Sequence, residues 1–145
     1  MAAERRASVT WNGDLMSGSG TIDEVGSGAF GQLDVSWPAR SEEASGGKTS
    51  PEELIAAAHA SCFSMALSGG LAKAGNPPEQ LRTSAAVTFV PGTGITKIAL
   101  TVRGRVPGLD AGGFREAAEA AKKGCPVSQA LAGVPEITLD ADLDA

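Results

Sequence analysis

From Leu54 to Ala72 the chain carries no Asp, Glu, Lys or Arg, and no other feature limits the fold as strongly. The run is entered through Ser50-Pro51-Glu52-Glu53. Ser50 suits an N-cap, Pro51 fits the first helical position, and acids in the first turn suit the positive end of the helix dipole. Glu53, three residues after Ser50, completes a capping-box pattern. Asn76-Pro77-Pro78 stops the run, so the pattern predicts a helix from Pro51 to about Ala74. Length alone would permit a membrane span. His59, Ser61, Ser64, Ser68 and Gly69-Gly70 make the run only weakly apolar, so no membrane partner is expected. A helix uncharged on every side must be covered, in a core or in a subunit interface. Leu54, Ile55, Phe63, Met65 and Leu67 are expected to pack there, and Gly69-Gly70 to permit close helix packing. No P-loop pattern surrounds those glycines.

Strands are expected on both sides of this helix. "ASVTWNG" alternates as a strand does, and Asn12-Gly13 signals a hairpin turn. "GTIDEV" and "FGQLDVSW" predict two more strands, the second closed by Trp37-Pro38 because proline lacks a ladder donor. "RSEEASGGKTS" is expected to be an exposed loop. "LRTSAAVTFV" and "ITKIALTVRGRV" predict a strand pair joined through Pro91 to Gly94, with Thr96, Ile98, Leu100 and Val102 facing the core. "DAGGFREAAEAAKKG" predicts a helix capped by Asp110 and ended by Gly124. "PVSQAL" suits a short helix starting at Pro126, with Ser128 and Gln129 as cap and turn residues, and "EITLDADL" a last strand. The sum is a single α+β domain over 1–145, long enough for one sizeable core. Four Phe, two Trp and no Tyr mean that this core leans on Ala, Val, Leu and Ile.

The formal charge is −5 and no basic run occurs, which argues against nucleic acid, whose binding rests on phosphate neutralisation. No apolar signal-peptide core follows the N-terminal arginines, so the cytoplasm is the expected compartment. Structural disulfides are uncommon there. Two cysteines then mean reactivity, metal binding or packing, and one His without a C-x-x-C spacing makes metal the weakest of these. No cofactor is expected.

Cys62 sits in the uncharged run, either as a small packing residue or as a thiolate nucleophile, which needs a nearby cation or helix N-terminus and access to substrate. Cys125 lies between a helix end and Pro126. If Pro126 opens a helix, the unpaired amides of its first turn lie close to the sulfur; a tight turn using a small residue is an equal alternative. His59, three residues before Cys62, shares a helix face with it, and a Cys–His nucleophilic pair competes with a satisfied buried histidine.

"TSPEELIAAAHASCFSMALS", together with "WNGD", "GITKIAL", "VPGLDAGGF" and "GCPVSQAL" in this order, resembles the OsmC/Ohr family of osmotically inducible and organic hydroperoxide resistance proteins, and its OsmC branch more closely. The resemblance covers essentially the whole chain. It implies antiparallel-rich sheets around central apolar helices in an intertwined homodimer, and a thiol peroxidase acting on organic hydroperoxides. Cys62 resembles the peroxidatic cysteine and Cys125 the resolving one. Glu52 resembles the active-site carboxylate and Arg40 the arginine that it pairs with. A dithiol reductant of the dihydrolipoyl type is implied. Glu52 and Cys62 are ten residues apart, about 15 Å of rise on a straight helix, so Arg40 would have to link them. Two rival functions remain open: a non-catalytic module binding a small lipid-like ligand, and a Cys–His hydrolase using Cys62 and His59.

Overall fold

The structure is a computed structural model and describes residues 2–144. Two compact units are present, one up to Leu54 and one from Ile55 onward. In the first, β1 (Ala7–Asn12), β2 (Ser19–Val25) and β3 (Leu33–Val35) form an antiparallel sheet in chain order. Asn12 faces Ser19 across the first hairpin, so Gly13, at φ +90°, opens a loop longer than the two-residue turn its sequence signals. Asp14 organises that loop by accepting from both the amide and the hydroxyl of Ser17 at 2.7 Å.

The expected strand through Trp37 is corrected here. β3 stops at Val35, and Trp37–Ser41 is a short helix, α1. Ser36 caps it, accepting from the Ala39 amide at 3.2 Å, and Pro38 sits in its first turn. A serine cap followed by a proline that cannot donate opens a helix as readily as it ends a strand. Arg40 and Ser41 therefore belong to α1 and not to the expected loop. An isolated parallel bridge between Val35 and Thr49 then brings the chain back alongside β3, with the Thr49 amide donating to the Asp34 carbonyl at 2.9 Å.

The uncharged run forms α2 (Pro51–Lys73). Ser50 caps it by accepting from the Glu53 amide at 3.2 Å. The expected reciprocal arm of the capping box is replaced, because the Glu53 carboxylate accepts from the Thr49 hydroxyl at 2.8 Å. At the other end Gly75, at φ +91°, closes a Schellman motif: the Asn76 amide reaches the Leu71 carbonyl at 2.9 Å and the Gly75 amide that of Ala72 at 3.0 Å. By length and composition α2 is long enough to cross a membrane. It buries a stripe of four, His59, Phe63, Leu67 and Leu71, spaced four apart along one face. Met65, on another face, is 75% exposed. Gly69 and Gly70 have open space where a side chain would stand, so nothing among the described residues packs closely on them.

The second unit is built on a three-stranded sheet ordered β4 (Gln80–Val90), β5 (Gly94–Arg105), β6 (Glu136–Leu143). β4 and β5 are an antiparallel hairpin; β6 returns parallel to β5 after α3 (Ala111–Gly124) and α4 (Pro126–Ala130). Ile98, Leu100 and Val102 of the central strand are buried as the alternation predicts, while Thr96 is only half-buried. They meet Phe63, Leu67 and Leu71 of α2 and Phe114, Ala118 and Ala121 of α3 in one core. Gly104 lets α3 approach the sheet: a Cβ there would stand 2.6 Å from two ring carbons of Phe114. Asp110 caps α3 as expected, accepting from the Gly113 amide at 2.7 Å.

Candidate active site

The ends of α3 and α4 meet at a single residue. Gly124 is still helical, correcting the expectation that it lies just past the helix end, and Cys125 takes an extended backbone as the closing residue of α3. Its amide donates to the Ala121 carbonyl at 2.8 Å, and its carbonyl accepts from the Gln129 amide at 3.0 Å, so it also opens α4. Pro126 begins that helix, as the sequence suggests. The Cys125 side chain is completely buried within the core, with Phe114, Ala118 and Ala121 of α3 in the same cluster.

Cys62 lies one position before the buried Phe63, at the edge of the α2 stripe, and is partly exposed. Both cysteines are free thiols. Each side chain shifts the ionisation of the other, so the two thiols are near neighbours. α2 thus carries one sulfur to the junction of two other helices, which holds the second.

The two sulfurs differ electrostatically. Burial pushes the Cys62 thiol up from its ordinary value, the hydrogen bond it makes with Cys125 pushes it further, and the Val127 amide opposes both. Burial also opposes ionisation of Cys125. There, however, Cys62, the Ser128 amide and hydroxyl, and the Val127 amide all favour the thiolate, and together they bring Cys125 below its ordinary value. Of the two sulfurs, Cys125 is thus the one whose surroundings favour the thiolate. Access runs the other way, since Cys62 is the sulfur that solvent reaches.

His59 is completely buried on the same stripe of α2, one turn before Cys62. Its Nε2 lies 2.7 Å from the Ser128 hydroxyl oxygen, and its Nδ1 has no hydrogen-bond partner. Neither ring nitrogen bonds Cys62, so the Cys–His pair that their spacing suggests is not formed. Burial holds the His59 pKa below its ordinary value. Ser128 is itself buried inside α4, in place of the expected cap or turn role.

Arg40 and Glu52 meet within the first unit. Arg40 Nε donates to both Glu52 carboxylate oxygens, at 2.8 and 3.2 Å, and Nη2 donates to Oε2 at 3.1 Å. The carboxylate side chain is 7% exposed and the guanidinium side chain 32%. Serine capping of α1 and the proline start of α2 place the two in register: α1 ends beside Arg40, and Glu52 stands in the first turn of α2. This fork is the geometry that makes arginine rather than lysine suit a carboxylate. Trp37, on the same short helix, is half-buried. Among the described residues no group of three or more His, Cys, Asp or Glu is gathered as metal ligands would be.

Four residues of the sequence reading thus appear as two pairs, Cys62 with Cys125 and Arg40 with Glu52. The link between His59 and Ser128 was not anticipated. They stand 69 positions apart, and only the presence of a histidine in an uncharged helix hints that a distant polar partner must exist.

Residues 44–140 match the family described as OsmC-like protein. The chain is 44% identical over 146 aligned positions to peroxiredoxin OsmC of Escherichia coli (strain K12), covering 99% of each chain, and matches peroxiredoxin OsmC of Shigella flexneri to the same extent. Among solved structures, the organic hydroperoxide resistance protein OhrB of Bacillus subtilis superposes with a TM-score of 0.65 at 26% identity, covering 96% of this chain and 98% of that one. An OsmC-like protein from Mycoplasma pneumoniae gives 0.74 at 18% identity with both chains fully covered, which bears on the fold alone.

Proposed function

Since the chain belongs to the OsmC-like protein family, we propose that it is a thiol peroxidase reducing organic hydroperoxides to alcohols. The observation that carries the reading is the pairing of two free thiols that influence each other's ionisation, one partly exposed and one fully buried, in a chain 44% identical to a peroxiredoxin over its whole length.

The residues divide the work as follows. Cys62, the accessible sulfur, is the attacking group. Cys62 loses its proton to solvent, and the thiolate attacks one oxygen of R–O–O–H. The S–O bond forms, the O–O bond breaks, and Cys62 becomes a sulfenic acid. The departing alkoxide takes a proton from solvent and leaves as the alcohol. The Cys125 thiolate then attacks the Cys62 sulfur, the S–S bond forms, and hydroxide leaves and is protonated by solvent.

Arg40 is proposed as the fixed donor that stabilises the thiolate and orients the peroxide, with Glu52 holding its guanidinium by two-pronged hydrogen bonds. The resemblance of these residues to the family's arginine and carboxylate supports that role. Reduction of the Cys62–Cys125 disulfide by an external dithiol completes the cycle through thiol–disulfide exchange. A reducing compartment such as the cytoplasm suits two thiols that must be recovered in this way. A single domain over 1–145 and a homodimer are proposed as well. Met65, in the uncharged helix, is 75% exposed, and a subunit interface along that helix would cover it.

Turnover of cumene hydroperoxide with a dithiol in excess tests the assignment. C62S is expected to abolish turnover; C125S is expected to be oxidised but not to recycle. Parent protein that leaves the peroxide untouched would favour the binding-module reading instead.

A further inference from the structure

The steps above leave one buried polar pair without a task. His59 and Ser128 are both buried, 0% and 8% exposed, and Nε2 of the histidine lies 2.7 Å from the serine hydroxyl oxygen. The bond crosses from α2 to α4 at a telling place. His59 stands three residues before Cys62, one turn away on the same side of α2. Ser128 stands three residues after Cys125, in the first turn of the helix that Cys125 opens. The hydrogen bond therefore joins the two turns that flank the two thiols. Resting on the thiol-peroxidase reading, we infer that His59 and Ser128 are positioning residues whose bond fixes α4 against α2, holding the Cys125 sulfur within reach of Cys62 for closure of the disulfide.

α4 needs such an anchor. It has five residues, too few for a helix to persist by its own hydrogen bonds. Ser128 is its one buried residue, and Val127 is only partly buried against the core. Gln129 Nε2 donates to the Lys123 carbonyl at 3.3 Å, which ties α4 back to α3 and leaves its setting on α2 undetermined. The His59 bond supplies that setting. Packing alone would be better served by other residues. Nδ1 of His59 is buried without a partner, and an unmet buried polar atom costs stability. A phenylalanine facing an alanine would fill the space without that cost. Apolar contact is non-directional, whereas a hydrogen bond fixes both distance and angle. What the polar pair adds is therefore register between the two helices.

Register matters to one step. In closure the Cys125 thiolate attacks the Cys62 sulfenic sulfur. The S–S bond forms as the S–O bond breaks; Cys125 is oxidised, the sulfenic sulfur is reduced, and hydroxide leaves to take a proton from solvent. The two reacting sulfurs stand on separate helical elements, so the rate follows how well those elements are held in the reactive geometry. A tether one turn from each sulfur holds them there. It makes no bond to peroxide, so its loss should fall on ring closure rather than on the first oxidation.

Single-turnover oxidation by one equivalent of cumene hydroperoxide separates the two steps. Dimedone trapping reports the Cys62 sulfenic acid, and mass spectrometry under non-reducing conditions reports the disulfide. In S128A the sulfenic acid should accumulate and closure should slow by about fivefold, the scale of one net hydrogen bond. The double variant H59F/S128A strands no polar partner, so its unfolding midpoint should return toward the parent while closure stays slow. Sulfenic acid should form at the same rate in C125S and in C125S/S128A. Closure at the parent rate in S128A, closure that follows the unfolding midpoint across S128A and the double variant, or an equal slowing of the first oxidation would overturn the positioning role. A C125S protein that forms no Cys62 sulfenic acid would instead overturn the peroxidase reading beneath it.

Discussion

Replacing Glu52 with Gln keeps the shape of the side chain and removes the charge that holds Arg40. Three hydrogen bonds between 2.8 and 3.2 Å are disturbed together. Breaking a fully buried ion pair costs about 3–5 kcal/mol. Here the arginine side chain is 32% exposed, so water recovers part of that, and about 1–2 kcal/mol is the reasonable share. Glu52 also stands in the first turn of α2, where a negative charge contributes a further ~0.5 kcal/mol against the helix dipole. The sum of about 2 kcal/mol corresponds to a fall in melting temperature of roughly 6 °C for a chain of this size. Arg40 has further contacts, so R40M alone would mix several losses. A double-mutant cycle of E52Q, R40M and the double variant isolates the pair. Denaturant unfolding should give a coupling of about 1–2 kcal/mol. R40K retains the charge without the fork and should recover only part of it. A coupling under ~0.3 kcal/mol, within the additivity of independent sites, would refute the claim that Glu52 holds Arg40.

Two further expectations concern the second unit. In G104A the new methyl would overlap the fully buried Phe114 ring and press α3 from the sheet, destabilising by about 1–3 kcal/mol as overpacked cores do; denaturation midpoints measure this, and an unchanged midpoint would contradict the close approach. His59 is held below its ordinary pKa, so between that folded value and the unfolded value near 6.5 the unfolded chain binds the extra proton. The contribution of His59 is thus complete above the unfolded value and is lost as pH falls toward the folded one. The stability of the parent should drop more steeply than that of H59N between about pH 7 and 5, and parallel curves would contradict the assignment.

How much of this was legible in the letters depends on the distance over which each feature is decided. Ser50-Pro51 and Asp110 cap their helices as expected because a cap is settled within one turn. The alternation of Ile98, Leu100 and Val102 exposes the core face of β5 for the same reason. Trp37-Pro38 was misjudged because proline both ends strands and opens helices, and the deciding contact is the small one from Ser36. Glu53 found Thr49 in place of Ser50 because the bridge from Val35 to Thr49 presents that hydroxyl, which no local pattern announces. The identities of the four candidate residues came through the family resemblance. The meeting of Cys62 with Cys125 needs α3 to cross from β5 and α4 to restart at Pro126, a matter of topology rather than spacing. The His59–Ser128 bond depends on the same crossing.

The most direct measurement is peptide mapping of the reduced protein after one equivalent of an organic hydroperoxide, without added reductant. A single intramolecular link between the peptides containing Cys62 and Cys125, with one alcohol released per disulfide and a trappable sulfenic acid on Cys62 in C125S, is the expected result. Sulfenic acid found first on Cys125, or two thiols recovered intact while the peroxide persists, would contradict the account.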